Sequence, residues 1–166
     1  MEWVVEVGPG TNHTYPFRPQ ARVGSNVVFV DIEPPAPELK EHGEWIVADA
    51  QHLPLRDACC STVYASHILE HLSDPWGFLT GCRQVLKPRG LLHLALPNFL
   101  SVNARRDPAH RHVYNVISLA LMLKKVGFIV HFEHRAGSLL PGPLRKAVST
   151  VINFFAEEIR LVGERP

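Results

Sequence analysis

The sequence VVEVGPGTN at residues 4–12 decides the fold. It begins within a short apolar run, residues 3–7, of the kind that forms a buried parallel strand. The run ends in Gly8-Pro9-Gly10, where the backbone can pass close to a ligand because glycine has no side chain in the way. The stretch therefore predicts a first strand followed by a ligand-binding turn.

Strands and helices alternate along the rest of the chain. Apolar runs predict further strands at 26–30, 44–48, 61–65, 91–96, 128–132 and 158–162. Apolar residues at helical spacing predict helices at 74–86, 116–126 and 144–155, with shorter helical segments from Pro16 and at 37–42. Alternation of this kind is typical of a sheet covered by helices. We predict an α/β fold in which a mainly parallel sheet of seven strands is covered by helices on both faces.

Length and composition place the chain among globular domains. Its 166 residues suit one domain, and its content of 46% hydrophobic and 20% charged residues is ordinary. No apolar stretch is long enough to cross a membrane, and the amino terminus lacks the features of a secretory signal. We expect a cytoplasmic protein in which Cys59, Cys60 and Cys82 are reduced.

The charge pattern says little about partners. A formal net charge of +1 gives no broad footprint for nucleic acid or an acidic membrane. Arg105, Arg106 and Arg111 nevertheless form a local basic cluster. The cluster would favour an anionic acceptor such as nucleic acid, and the alternative is a solvated loop.

Acidic residues mark three consecutive predicted strands. Glu6 lies in the first strand, Asp31 closes the second and Asp49 follows the third. Because parallel strands end at the same edge of a sheet, these carboxylates can accept hydrogen bonds from one ligand rich in hydroxyl and amino donors. A dinucleotide is disfavoured, since the pattern G-x-G-x-x-G needs glycine where His13 stands.

Further motifs follow in a fixed order: FVDIE at 29–33, VADAQHLPLRD at 47–57, HILEHLSDPWGFL at 67–79, VLKPRGLLHLALPN at 85–98 and KKVGF at 124–128. Together with VVEVGPGTN, they resemble in order and spacing the small class I methyltransferases that depend on S-adenosylmethionine. The resemblance covers nearly the whole chain. It implies a Rossmann-like α/β fold with an antiparallel terminal strand, this cofactor and transfer of a methyl group to an acceptor.

The resemblance also implies where the cofactor lies. Glu6, Gly8 and Gly10 would border its methionine part, and Asp31 would receive the ribose hydroxyls. Adenine would be held by Asp49 and the backbone of Ala50, and the sulfonium end would pass beside Ser66 and His67.

An acceptor site is predicted in the loop DPAHRHVYN, residues 107–115, which follows the fifth strand. His110, His112 and Tyr114 in this loop, with Asn98, would orient the acceptor, and His110 or His112 is the candidate base. The alternative is that these side chains cap the next helix and fix the loop.

No metal site is expected from the spacing of the histidines. His67 and His71 are four residues apart, but the intervening residues do not form the H-E-x-x-H arrangement of zinc enzymes. Glu70 and His71 match a Glu-His pair of the family, for which a capping or packing role is as good an interpretation as catalysis.

Residues 1–166 are thus interpreted as one methyltransferase-like domain, which begins at the first strand and lacks the helices that usually cover the cofactor. The predicted activity is methyl transfer to an acceptor that the sequence does not identify. The alternative is a catalytically silent module that binds the cofactor or a protein partner covering the open cofactor edge.

Overall fold

A seven-stranded sheet forms the centre of the computed structural model, which describes residues 2–10, 25–35, 37, 43–132 and 142–166. The strands are β1 (Glu2–Val7), β2 (Ser25–Asp31), β3 (Glu44–Val47), β4 (Cys60–Ser66), β5 (Leu86–Pro97), β6 (Ile129–Phe132) and β7 (Glu158–Glu164). Each predicted strand is present, with bounds shifted by a few residues.

The strands are arranged in the order β3-β2-β1-β4-β5-β7-β6. The pairs from β3 through β5 are parallel, whereas β7 runs antiparallel to both β5 and β6. This confirms the predicted mainly parallel sheet with an antiparallel terminal strand. Since the chain runs outward from β1 to β3 and then returns to β4, the strand order reverses between β1 and β4, where ligands of open α/β sheets bind.

Four helices are described: α1 (Pro75–Val85), α2 (Val102–Arg106), α3 (Val116–Val126) and α4 (Gly142–Phe155). A short 3-10 turn spans Ala50–His52. Helix α3 packs against both α1 and α4. The predicted helix from Pro16 and nearly all of the segment 37–42 lie outside the described residues.

Local signals explain where helices α1 and α3 begin. Asp74 caps α1 by accepting a hydrogen bond from the backbone N–H of Gly77 at 2.9 Å. Asn115 caps α3 by accepting from the backbone N–H of Ser118 at 2.8 Å, and the Ser118 hydroxyl accepts in return from the backbone N–H of Asn115 at 3.1 Å. This reciprocal pair is a capping box, which fixes the start of α3 directly after the loop 107–114.

Two boundaries differ from the sequence prediction. Strand β5 begins at Leu86 and not at residue 91, with a register shift against β4 between Cys60 and Thr62. The backbones of Arg89 and Gly90 pair with that of Arg165 near the end of the chain, which local periodicity cannot show. Helix α2 was also missed, because five residues are too few to display a helical pattern.

The core is built from the strands and the inner faces of α1 and α3. It includes Val30, Val63, Leu94, Phe78 and Leu119, each fully or almost fully buried. All three cysteines are free thiols, as expected, and those of Cys60 and Cys82 are buried. None of the helices in the described part of the chain is long and apolar enough to cross a membrane.

Candidate functional site

The glycine turn after β1 lies against the segment that follows β4. Gly8 has a φ of +67°, and a Cβ added to it would lie 2.6 Å from Cδ1 of Ile68. Its N–H donates to the carbonyl oxygen of Val30 at 2.8 Å, so the turn is tied to the end of β2. Gly10 also has a positive φ, of +64°, but a Cβ there would meet no described atom within 4 Å. The turn therefore needs glycine at residue 8 for both conformation and space.

Asp31 joins the end of β2 to this turn. Its Oδ2 accepts a hydrogen bond from the backbone N–H of Gly10 at 3.0 Å, and its Oδ1 accepts from that of Glu33 at 3.2 Å. An ionised carboxylate offers about four lone-pair positions, so these two bonds leave it able to accept more. A ligand lying along the glycine turn would find this carboxylate beside it.

Asp49 and Ala50 lie at the end of β3. Asp49 caps the 3-10 turn, accepting through Oδ1 from the backbone N–H of Gln51 at 2.9 Å and through Oδ2 from the Gln51 amide at 3.1 Å. These hydrogen bonds lower the pKa of the Asp49 carboxyl, and the bond from the Gln51 backbone N–H has the largest effect. Ala50 is buried. The Ala48 N–H donates to the carbonyl oxygen of Asp31 at 2.8 Å, so the ends of β2 and β3 are held together.

Glu6 is the most buried of the three predicted carboxylates, with 8% of its surface exposed. Burial raises the pKa of its carboxyl to about 7, because removal from water disfavours the charged form. A cationic group brought beside Glu6 would reverse this effect and favour its ionised form.

Ser66 and His67 end β4. The buried Ser66 hydroxyl has no hydrogen-bond partner among the described residues. His67 has a φ of +53°; its Nε2 lies 2.9 Å from Oε1 of Glu158 and its Nδ1 lies 3.5 Å from Oε1 of Glu70. The hydrogen bond to Glu158 and then that to Glu70 raise the pKa of His67 to about 9. Glu158 was not predicted from the sequence, because only the arrangement of the sheet brings the start of β7 close to the end of β4.

Glu70 occupies the centre of the region between β4 and the acceptor loop. Its side chain is 2% exposed, and the basic groups near its Oε1 are Nδ1 of His67 at 3.5 Å and Nε2 of His110 at 4.0 Å. Its carbonyl oxygen accepts from the N–H groups of Arg111 and His112 at 2.8 and 3.1 Å. The backbone of Glu70 therefore holds the loop 107–114. From the sequence, a capping or packing role and a catalytic role both stayed open for this residue.

The predicted acceptor residues on this loop lie around Glu70. Nε2 of His110 is 4.0 Å from Glu70 Oε1 and 3.7 Å from Oδ2 of Asp107. Nε2 of His112 and the Tyr114 hydroxyl are both buried, and no described residue is hydrogen-bonded to either. Burial, and secondarily the charge of Glu70, raises the pKa of Tyr114 to about 12. The structure thus brings His110, His112 and Tyr114 into one neighbourhood.

Asn98 has different surroundings from the other predicted acceptor residues. It is completely buried, and its amide donates to the carbonyl oxygens of Phe154 and Ala156 at 2.8 and 2.6 Å. Its backbone N–H donates to the Glu157 carbonyl oxygen at 2.8 Å. The amide nitrogen of Asn98 thus joins the end of β5 to the turn between α4 and β7, and the predicted acceptor role of this residue stays a prediction.

Arg105, Arg106 and Arg111 are all exposed, but the first two lie in α2 and not in a loop. Arg105 is held to the segment before this helix, since Nε donates to the Phe99 carbonyl oxygen at 2.8 Å and the guanidinium lies 6.0 Å from the centre of the Phe99 ring. Of the three arginines, this one is the least free to reach an acceptor.

A groove of about 510 Å³ lies elsewhere, lined by Trp3, Val5, Val28, Leu55 and Cys59 among others. Several of these residues are near the amino ends of β1 and β4, away from the glycine turn and from Asp31. Ligands of open α/β sheets bind at the carboxyl ends of the strands, so the polar residues described above form the better candidate site.

Comparison with known proteins identifies related sequences. The family described as methyltransferase domain matches residues 5–94. A protein of Mycobacterium tuberculosis described as a probable S-adenosylmethionine-dependent methyltransferase is 33% identical over 90 residues, covering 52% of this chain and 33% of that protein. A ubiquinone biosynthesis O-methyltransferase of Cereibacter sphaeroides is 32% identical over 82 residues, covering 45% and 33%. The alignments thus span about a third of the length of these curated relatives.

Solved structures share the fold over a larger part of the chain. A methyltransferase from Archaeoglobus fulgidus, described as SAM-dependent, superposes with a TM-score of 0.69 and is 18% identical. The alignment covers 98% of this chain and 86% of that one. At this identity the likeness concerns the fold: the Rossmann-like sheet with its antiparallel terminal strand.

Proposed function

The chain belongs to the methyltransferase-domain family, and on that premise we propose that it binds S-adenosylmethionine at the carboxyl ends of β1 to β4 and transfers the methyl group to an acceptor beside the loop 107–114. The observation that carries the proposal is the hydrogen bond from the Gly10 N–H to Asp31 Oδ2 at 3.0 Å. This bond joins the glycine turn after β1 to the carboxylate at the end of β2 that would bind the ribose.

The residues at this edge fit the proposed cofactor. Asp31 retains acceptor positions for ribose hydroxyls, and at Gly10 no described side chain stands between the backbone and a ligand. Glu6 offers a carboxylate whose charge a nearby ammonium group would stabilise. The buried Ser66 hydroxyl would gain a partner at the methyl-bearing end.

The cofactor supplies a methyl group already activated by a positive sulfur, so the chain has to position the acceptor and receive its proton. Of the two predicted bases, His112 has an Nε2 that is hydrogen-bonded to no described residue, and the Tyr114 hydroxyl nearby is likewise unpaired. His112 would take the proton from an acceptor hydroxyl and Tyr114 would orient it. An acceptor oxygen is supported by the relative named as an O-methyltransferase.

Calorimetric titration of the purified chain with S-adenosylmethionine tests the proposal. Replacement of Asp31 by alanine removes hydrogen bonds to a charged group and should weaken binding roughly 10- to 100-fold. Glu2→Ala is the matched control, since Glu2 is an exposed carboxylate at the other end of the same sheet. Absence of binding by the unaltered chain, or equal binding by the two variants, would contradict the proposal.

Turnover separates an enzyme from a binding module with the same fold. Release of S-adenosylhomocysteine in the presence of hydroxylated acceptors, reduced in His112→Gln with binding of the cofactor retained, would support methyl transfer. If the chain binds S-adenosylmethionine but releases no S-adenosylhomocysteine with any of these acceptors, the catalytically silent module is favoured. The predicted location in the cytoplasm stays a prediction, to be tested by fractionation of cells that produce the chain.

A further inference from the structure

We propose that Glu70, His71 and His110 form a binding site for a divalent transition-metal ion, of the class that accepts nitrogen and oxygen ligands together, such as Zn²⁺. One ligand atom from each residue lies within 4.8 Å of the other two. Glu70 and His71 follow β4, whereas His110 lies on the loop after β5. Their convergence is a product of the fold, which is why the spacing of His67 and His71 alone gave no such site.

The ligand atoms lie slightly farther apart than in a metal-bound site, so they would move closer together when the ion binds. Zinc ligands at about 2.0 to 2.2 Å from a tetrahedral ion are roughly 3.4 Å from each other. His110 Nε2 and Glu70 Oε1 are already 4.0 Å apart, and the rings of His71 and His110 lie with centres 4.8 Å apart. His71 is only half-buried, so its ring has room to turn toward the other two ligands.

Hydrogen bonds to backbone carbonyl groups fix which nitrogen of each ring carries a hydrogen. Nδ1 of His71 lies 3.1 Å from the carbonyl oxygen of Ala109, and Nδ1 of His110 lies 3.2 Å from that of Ala104. A carbonyl oxygen can only accept, so each Nδ1 carries a hydrogen, and in the neutral ring Nε2 keeps its lone pair. Metal-binding histidines usually donate their other ring N–H to such a carbonyl group or carboxylate.

A cation would satisfy Glu70. Its carboxyl group is almost completely buried, and the contact of its Oε1 with His67 Nδ1, at 3.5 Å, is longer than an ordinary hydrogen bond; a buried carboxylate is costly unless it is closely paired. The lone pair of neutral His110 faces this carboxylate at 4.0 Å and that of Asp107 at 3.7 Å. Acceptor groups that face each other in this way need a proton or a metal ion between them.

The competing explanation is a proton. A protonated His110 would donate from Nε2 to Glu70, and His67, whose Nδ1 lies 3.5 Å from Glu70 Oε1, already compensates part of the charge. That arrangement leaves the position of His71 unexplained, because a ring bonded to Ala109 need not also approach Glu70 and His110.

The site adjoins the residues proposed to receive the acceptor. Three protein ligands leave a position of a four-coordinate ion open, which is the arrangement of catalytic zinc sites. An acceptor hydroxyl bound at that position would lose its proton more readily. The metal site itself does not depend on the proposed function, since it is built from residues other than those at the glycine turn and Asp31.

Titration of the purified, metal-stripped chain with Co²⁺ in the absence of S-adenosylmethionine tests the site. We expect one equivalent to bind with a visible absorption band and to be displaced by Zn²⁺. His71→Ala and His110→Ala should each weaken binding by at least about 100-fold, since even the outer partners of such ligands contribute about 10- to 100-fold. The matched control is His131→Gln. It removes a histidine of β6 that is paired with Glu164 of β7, and this variant should bind Co²⁺ as the parent chain does.

Glu70→Gln keeps the shape of the buried side chain while removing its charge, and circular dichroism reports whether each variant is folded. A metal-dependent rise in the unfolding temperature that is present in His131→Gln and lost in Glu70→Gln would support the site. Failure of the parent chain to bind Co²⁺, or equal binding by the His110→Ala and His131→Gln variants, would overturn it and leave the Glu70–His110 contact as a proton-mediated pair.

Discussion

Gly8 and Gly10 share a left-handed backbone conformation but differ in their surroundings. Their φ values are +67° and +64°, yet a Cβ would meet Ile68 at residue 8 and no described atom within 4 Å at residue 10. The pair can therefore separate the cost of the backbone conformation from the cost of the close approach.

Alanine at residue 8 should be the more destabilising of the two substitutions. Both variants incur the left-handed penalty of roughly 1–2 kcal/mol, and Gly8→Ala adds overlap with Ile68 Cδ1. Urea denaturation measures the difference, and Ile68→Val, which removes Cδ1, should recover part of the loss at residue 8. Equal losses of unfolding free energy for the two glycine variants would show that the contact with Ile68 has no cost.

Glu6 should make stability depend on pH. Its pKa is about 7 in the folded chain against an ordinary value of 4.5, so between these values the folded state binds a proton that the unfolded state has released. The unfolding free energy therefore contains a favourable contribution from Glu6 at low pH that is lost as pH rises to about 7.

Glu6→Gln stays neutral and should lack this loss. Its unfolding free energy relative to the parent chain should increase by up to roughly 3 kcal/mol across that interval, and level off above it. Denaturant unfolding at a series of pH values measures the difference. A difference that does not change with pH would mean that Glu6 is not buried as described.

Individual residues were predictable where they follow a buried strand. Asp31 and Asp49 lie at the carboxyl edge because each comes directly after an apolar run in a parallel sheet. Glu158 and the surroundings of Glu70 were not predictable in this way. Their partners come from distant segments, and no local pattern records that β7 starts near the end of β4.

At the scale of elements, Asn98 connects β5 with the turn between α4 and β7. Its amide donates to two backbone carbonyl groups, those of Phe154 and Ala156. This contact explains why Asn98 is fully buried although it lies at the edge near the predicted acceptor site. It gives the side chain a structural role, and the acceptor role stays a prediction.

Replacement of Asn98 by alanine should therefore act on stability. Two part-buried carbonyl groups lose their donor, at a cost of about 1–3 kcal/mol each, so we expect a loss of roughly 2–6 kcal/mol in unfolding free energy. Thermal unfolding measures it, with the half-buried Asn115→Asp as a control that keeps a capping side chain. A folded Asn98→Ala chain of unchanged stability would restore the acceptor role as the better explanation.

Helices were predictable where their ends carry signals. Asp74 before Pro75 and Asn115 before α3 are caps visible in the sequence, and both are used as caps. The start of β5 was not, because Pro88 and Gly90 interrupt the apolar run and the strand continues through them by pairing with the end of the chain. Local pattern thus predicts elements whose ends are set locally.

For the whole molecule, the alternation of strands and helices was sufficient to predict a mainly parallel sheet, since few other arrangements cover such a sheet. The antiparallel terminal strand was implied by the resemblance to the methyltransferase family, because alternation by itself favours a parallel strand after each helix. The location of the candidate site at the carboxyl ends of the strands followed from that topology. The cluster around Glu70 did not, because His71 and His110 are brought together by a loop of irregular structure whose path no periodicity encodes.

The most direct test of the central claim is a crystal structure of the chain with S-adenosylhomocysteine, the product form of the proposed cofactor. We predict the ribose hydroxyls on Asp31, the amino-acid part along Gly8 and Gly10, and the sulfur facing Ser66 and the loop 107–114. A ligand bound instead in the groove lined by Trp3, Val28 and Leu55, or at the carboxyl edge without contact to Asp31, would contradict the account.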